Sequence, residues 1–206
     1  MATYFDDYPE ELRLLRGEAV TRLTDAEFFQ FCQDNPLQQF ERDANQQLVL
    51  MPPAFPDASE DGLEVGYQLV AWNRQTRAGH TYESSASFKL PNSAVRAPDA
   101  SWMSRARREV AQQAGGFLAA CPEFVVEIRS PSDRLATLQA KMQEYLENGA
   151  LLGFLLDVAA ETAYVYRPGQ PTETVQGYDQ ALSGEPVLPG FQLDLRPLRR
   201  PASPAA

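Results

Sequence analysis

The chain is short of the side chains on which most structural staples and many catalytic chemistries depend. Its 206 residues include two cysteines, Cys32 and Cys121, and one histidine, His80. Two cysteines do not make a disulfide framework, and a reduced, buried thiol is the expected state of both. A structural zinc site of the usual Cys/His kind lacks ligands. A serine or cysteine nucleophile activated by histidine would have to use His80, which stands in "RAGHTYE", a loop or strand end. Positive charge is scarce as well: Lys plus Arg number 18 against 28 Asp plus Glu, a net charge of −10. That balance excludes a general nucleic-acid coat protein, which needs a basic surface, but leaves room for a local basic cleft. The two arginine clusters, "SRARRE" at 104–109 and "RPLRRP" at 196–201, read as solvated faces. No apolar run approaches the ~20 residues that span a membrane. The opening "MATYFDDYPEE" is acidic and lacks the basic-then-apolar pattern of a signal peptide. A cytoplasmic protein with no membrane association is expected.

The remaining composition, 44% hydrophobic and 22% charged, is that of an ordinary globular chain. The length suits one domain. Residues 1–23 read as an N-terminal extension, 24–198 as the domain and 199–206 as a disordered tail. Thr24 to Glu27 has the T-x-x-E pattern of a capping box, which predicts a helix over 25–34. "QQFERDANQQLVLMPP" predicts a hairpin turning at Asp43-Ala44-Asn45, and "PAFPDASEDG" predicts a loop. Helical spacing of Leu63, Tyr67, Val70 and Ala71 predicts a helix over 63–76. "HTYESSASFKL" alternates and reads as one strand, and "PDASWM" as another, short one. Residues 104–121 are compatible with a helix or a long loop broken at Gly115-Gly116. "EFVVEIR" is a strand. Ser130-Pro131-Ser132-Asp133 then reads as a helix start, with Ser130 as N-cap, and the helix runs to Gly149. "LLGFLLDV" and "TAYVYRP" are strands. The order predicts a single α/β (α+β) domain, a mixed β-sheet flanked by helices, with the two strands around the 131–148 helix parallel.

One residue in this pattern is out of place. Glu127 sits between Val126 and Ile128 in a run otherwise built for burial. A lone carboxylate there is costly unless it is paired, protonated or metal-bound. Asp99 opens the short strand in "APDASW", and Glu64 lies in the first turn of the 63–76 helix. Carboxylates on three separate elements can converge on a hard cation, and oxygen ligands suit Mg²⁺ or Mn²⁺. Lys141 lies at the edge of the apolar stripe of its helix, about 60° from Leu138 and about 40° from Tyr145 at ~100° per residue. Alternation puts Arg129 on the face of Glu127. Each residue also has a plain structural reading. Glu127 can be a core carboxylate paired with Arg129 or Lys141, Asp99 a turn residue, Glu64 a helix-dipole acid and Lys141 a flanking residue with its head in solvent.

The series "APDASW", "CPEFVVEIRSPSD", "LQAKMQEYLENGALLGFLLD", "YRPG" and "LPGFQLDL" resembles the bacterial putative restriction-endonuclease family of the PD-(D/E)XK nuclease superfamily, over roughly residues 24–196. The resemblance implies that Asp99 is the motif aspartate, Glu127 the second acid and Glu64 the first-helix glutamate. It places Arg129 where the common pattern has lysine, and it implies that Lys141, on the following helix, takes over that role. The implied activity is Mg²⁺- or Mn²⁺-dependent hydrolysis of DNA, leaving a 5′-phosphate. Asp99, Glu127 and the Ile128 carbonyl would hold the metal, Glu64 a second metal or its water, and Arg129 the phosphate charge. Alanine at Lys141 is then expected to abolish cleavage while sparing folding and metal binding. The rival expectation is a catalytically silent nucleic-acid- or protein-binding module. A homodimer is expected, since a duplex has two strands to cut and two-fold dimers are the commonest oligomers.

Overall fold

The computed structural model describes residues 23–200. Helix α1 (Asp25–Asp34) opens on a complete capping box: Thr24 Oγ1 accepts the Glu27 N–H, and Glu27 Oε2 accepts the Thr24 N–H at 2.8 Å. Strands β1 (Gln39–Arg42) and β2 (Leu48–Met51) form the expected hairpin. Its turn is closed by Asp43 Oδ1, which accepts the N–H groups of Asn45 and Gln47. Helix α2 runs from Pro56 to Thr76. It begins seven residues earlier than its hydrophobic spacing suggests. Pro56 occupies the first turn, where a missing N–H costs nothing, and the early turns are polar because they face solvent.

Strands β3 (Gly79–Glu83), β4 (Phe88–Lys89), β5 (Val95–Arg96) and β6 (Ala100–Ser104) follow. The single strand expected over "HTYESSASFKL" is therefore two, on different sheets. The Glu83 carboxylate accepts from the Ser85 N–H and turns the chain between them. Residues 104–121 contain both a short helix, α3 (Arg105–Val110), and a hairpin, β7 (Gln112–Ala114) with β8 (Phe117–Ala119). Gly115 and Gly116 form the hairpin turn at φ +59° and +99°, where a side chain would be strained.

Next come β9 (Phe124–Ile128), α4 (Leu135–Glu147), β10 (Leu152–Asp157), β11 (Thr162–Tyr166), β12 (Glu173–Gln176), β13 (Ala181–Ser183) and β14 (Gln192–Asp194). Helix α4 starts four residues later than expected. Ser130 and Asp133 make a local turn instead, with Asp133 Oδ2 accepting both the backbone N–H and the hydroxyl of Ser130. The same reciprocal bonding that closes a capping box here closes a turn ahead of the helix.

Two six-stranded mixed sheets result, ordered β2-β1-β5-β4-β8-β7 and β12-β11-β10-β9-β6-β3, with β13-β14 as a separate pair. The expected parallel pairing of β9 and β10 around α4 is present. Strand β9 lies between β10 and β6, and all five of its residues are buried. Its two faces meet different helices. Phe124, Val126 and Ile128 pack with Val65, Leu69 and Trp72 of α2. Val125 packs with Leu155 of β10 and with Met142 and Tyr145 of α4. Burying each such side chain contributes about 1.5–3 kcal/mol. Gly153 of β10 lets α4 approach closely, because an added Cβ would collide with the Met142 methyl. Helix α1 packs Phe28 against Phe40, Val95 and Phe117 of the first sheet.

Most of the expected N-terminal extension and C-terminal tail lies outside the described residues. Arg199 and Arg200 are described, paired with Glu161 and Asp179 and with Asp57, Glu60 and Asp61. Among the described residues no helix is long and apolar enough to cross a membrane.

Candidate active site

Glu127 leaves β9 on the face covered by α4, and it is 4% exposed. Helical spacing brings two α4 donors to it. Lys141 Nζ lies 2.9 Å from Oε1 and donates to Oε2 at 3.0 Å, and the Tyr145 hydroxyl donates to Oε1 at 2.9 Å. Lys141 has a second carboxylate on its other side, Glu41 Oε1 at 2.8 Å. Glu41 belongs to β1 and is itself 2% exposed. It also accepts the Ala97 N–H at 2.9 Å and a bond from Arg96 Nη1 at 3.0 Å, while Arg96 Nε reaches Glu144 Oε2 at 2.6 Å. One ammonium thus bridges two buried carboxylates from different sheets.

Asp99 stands just before β6, beside the end of β9. Its Oδ2 accepts the Ile128 N–H at 2.7 Å, which ties it to the residue following Glu127. This bond continues the antiparallel β6–β9 pairing, whose register ends at Ala100 opposite Val126.

The electrostatics follow from this crowding. Burial pushes the Glu127 carboxyl up to about 8. Lys141 opposes that shift, and the charges of Asp99 and Glu41 reinforce it. Asp99 is also held above the usual carboxylate range by burial, against the Ile128 N–H and Lys141. Burial acts to raise Glu41 too, but Lys141 and Arg96 outweigh it and its carboxyl is held low. Burial alone would lower the Lys141 ammonium, yet Glu127 and Glu41 raise it above its ordinary value. Its charge is therefore fixed. The cluster has one ammonium for two carboxylates, and the one that keeps a proton near neutrality is Glu127.

Two expected residues stand apart from this group. Glu64 is on α2, on the opposite side of β9, and its Oε1 accepts from Gln68 Nε2 at 2.9 Å. Arg129 lies past the end of β9, where its guanidinium turns to Asp157 Oδ2 and its Nε donates to the Asp133 carbonyl at 3.3 Å. Strand alternation puts Arg129 on the right face, but the neighbouring end of β10 supplies a nearer carboxylate. Two residues of the cluster, Glu41 and Tyr145, carry no such spacing signal in the sequence pattern. Glu41 lies exactly 100 positions before Lys141 in a hairpin that reads as amphipathic, so no local spacing links them. In the sequence Tyr145 is part of an apolar stripe. Its hydroxyl was the available signal, since a buried phenol requires a partner.

Among the described residues no three Asp, Glu, His or Cys side chains gather into a group able to hold a metal ion. The pair Asp99 and Glu127 still fits a hard cation: both are oxygen donors, and both are held above their ordinary pKa, first by burial and then by neighbouring carboxylate charge. Asp99→Asn keeps the acceptor for the Ile128 N–H and removes one of the competing charges. In chelator this variant is expected to melt about 2–4 °C above wild type, the shift from relieving about 1 kcal/mol of repulsion in a domain of this size. A lower melting temperature would mean that the Asp99 charge is needed by the apo fold.

A cleft of about 570 Å³ lies between the β1–β2 hairpin and α4, and Glu41, Arg96 and Lys141 of the cluster line it. Asp43, Asp133 and Glu144 also line it.

Residues 25–196 match the Uma2 family of putative restriction endonucleases. The chain belongs to this family. A crystal structure of a putative nuclease of DUF820 from Anabaena variabilis ATCC 29413 is similar to it at 19% identity, with a TM-score of 0.73 over 86% of this chain and 97% of that one. At that identity the likeness establishes the fold. No curated protein matches the chain. As a Uma2 member, it carries Asp99, Glu127 and Lys141 together at one end of β9.

Proposed function

We propose that this protein is a divalent-metal-dependent DNA endonuclease that hydrolyses phosphodiester bonds. The observation that carries the reading is the pair of Asp99 and the buried Glu127 at the end of β9, with the Lys141 ammonium, which also lines an open cleft, bonded to Glu127. Asp99, Glu127 and the Ile128 carbonyl would hold Mg²⁺ or Mn²⁺. Such an ion supplies Lewis-acid stabilisation of the phosphoryl oxygens and a water of lowered pKa. Asp99, anchored through the Ile128 N–H, fixes the position of one carboxylate relative to β9. Tyr145 fixes the rotamer of the other through its bond to Glu127. Lys141 would orient the attacking water and offset charge on the phosphate. It is a poor general base, because two carboxylates hold its proton. Glu41 acts as a positioning residue for Lys141. Arg129 holds Asp157 at the end of the parallel strand pair, and that contact takes it away from the phosphate role the motif suggests. Glu64 is bonded to Gln68 and is left outside the minimal site.

The acidic lining of the cleft supports a requirement for a cation, since Asp43 and Asp133 repel a phosphate that arrives without one. The same lining, with the net charge of −10, favours the second reading, a silent module with the nuclease fold. Supercoiled plasmid incubated with Mg²⁺ or Mn²⁺ separates them. Nicked and linear products that vanish with chelator and with Asp99→Asn are expected. Intact plasmid under both metals, with DNA retained at low salt, would establish the silent module instead.

A further inference from the structure

Helix α2 presents a stripe to solvent that the fold does not use. Leu63 is 75% exposed and Tyr67 is 66% exposed, and the partly exposed Val70 continues their line. The three lie within ~60° of one another on the helix, opposite Val65, Leu69 and Trp72, which face the sheet. Gly66 flanks the stripe. Among the described residues an added Cβ there meets nothing within 4 Å, so none of their contacts requires glycine, although mid-helix glycine weakens a helix. A glycine of this kind lets another backbone approach.

The charge pattern along the same helix selects the occupant. Asp57 and Glu60 stand at its N-terminal end, Arg74 and Arg77 at its C-terminal end, and all four are exposed. Among the described residues neither Arg74 nor Arg77 has an ion-pair partner, while Asp57 and Glu60 share one exposed partner, Arg200, at 3.6 and 3.3 Å. Laid antiparallel on a copy of itself about Tyr67, the helix sets Glu60 against Arg74, Asp57 against Arg77, and Leu63 near Ala71 and Val70. This is the self-complementarity that a two-fold interface demands. We propose that α2 is the dimer interface of this protein, and that its occupant is α2 of a second copy, packed through Leu63, Tyr67 and Val70 across Gly66. The proposal does not depend on catalysis.

Sedimentation equilibrium of the full chain tests it through charge exchange. Wild type should sediment at twice the 22.9 kDa chain mass at micromolar concentration. Glu60→Arg and Arg74→Glu should each raise the dimer dissociation constant at least tenfold, because each faces like charge across the two-fold. The double variant should return it to within a few-fold of wild type, which a general loss of folding could not do. Leu63→Asp should give monomers with an unchanged far-ultraviolet circular dichroism spectrum. A wild type that stays at 22.9 kDa overturns the proposal and leaves the stripe to another partner or to residues 1–22. A dimer indifferent to all of these substitutions also overturns it, since the interface then lies elsewhere.

Discussion

Lys141→Met is expected to abolish cleavage and to cost about 3–5 kcal/mol of stability at neutral pH, the usual effect of removing one partner from a buried ion pair. The second effect is what the structure adds. Read from the sequence, Lys141 is a flanking residue whose loss would spare folding. In the fold its side chain is 10% exposed and wedged between Glu41 and Glu127, so its loss leaves two buried carboxylates facing each other. Arg96 still partners Glu41, which limits the damage on that side. Glu127 would keep only the Tyr145 hydroxyl and would hold its proton to still higher pH, because the ammonium that opposes protonation is gone. Lys141→Arg preserves the charge and should recover most of the stability. It should recover little of the cleavage, because a planar guanidinium cannot take the ammonium's place between two carboxylates and a water. Urea unfolding beside plasmid cleavage reads both quantities. A methionine variant as stable as wild type would show that the ammonium is not what keeps Glu41 and Glu127 buried. A stable variant that also cleaves would remove Lys141 from the mechanism.

The contrast shows which parts of the site a sequence can carry. Glu127 was legible because one acid in a five-residue buried strand violates the hydrophobic pattern. Lys141 was legible because strand β9, a turn and helix α4 are consecutive, so a strand rise and a helix rise suffice to align them. Asp99 is singled out by resemblance, and in the fold it stands beside the end of β9, accepting the Ile128 N–H. Glu41 was not legible, because β1 belongs to the other sheet and meets α4 only through tertiary packing. The helix start failed for a related reason. Ser130 and Asp133 satisfy each other in a turn as well as they would in a cap, and the backbone N–H of Arg129 is taken by the Leu156 carbonyl of the neighbouring strand. Strand pairing at the end of β9 therefore competes with helix initiation, and the helix begins only after Arg134.

Glu127→Gln is expected to remove the pH dependence that Glu127 imposes on the apo protein. The Glu127 carboxyl stands at about 8 in the fold, above the 4.5 of an ordinary glutamate, with burial as the first cause. The folded chain then binds a proton that the unfolded chain has already lost between these values. Its contribution to stability is complete below pH 4.5 and is lost as pH rises through about 8. The slope is about −1.4 kcal/mol per pH unit within that window and levels off above it. Glutamine keeps an acceptor for Tyr145 and leaves Lys141 its pair with Glu41, but it has no proton to lose. In chelator the melting temperature of wild type should therefore fall relative to Glu127→Gln by about 3–5 °C per pH unit from pH 5.5 to 8. Glu41 cannot mimic this trend. Its carboxyl is held low, so its contribution is present above the ordinary glutamate value and is lost only as pH falls below it. Parallel melting curves for the two proteins across the window would mean that Glu127 is ionised throughout. Lys141 would then be holding two carboxylate anions at once, and the apo pair would have no proton to give up when a cation arrives.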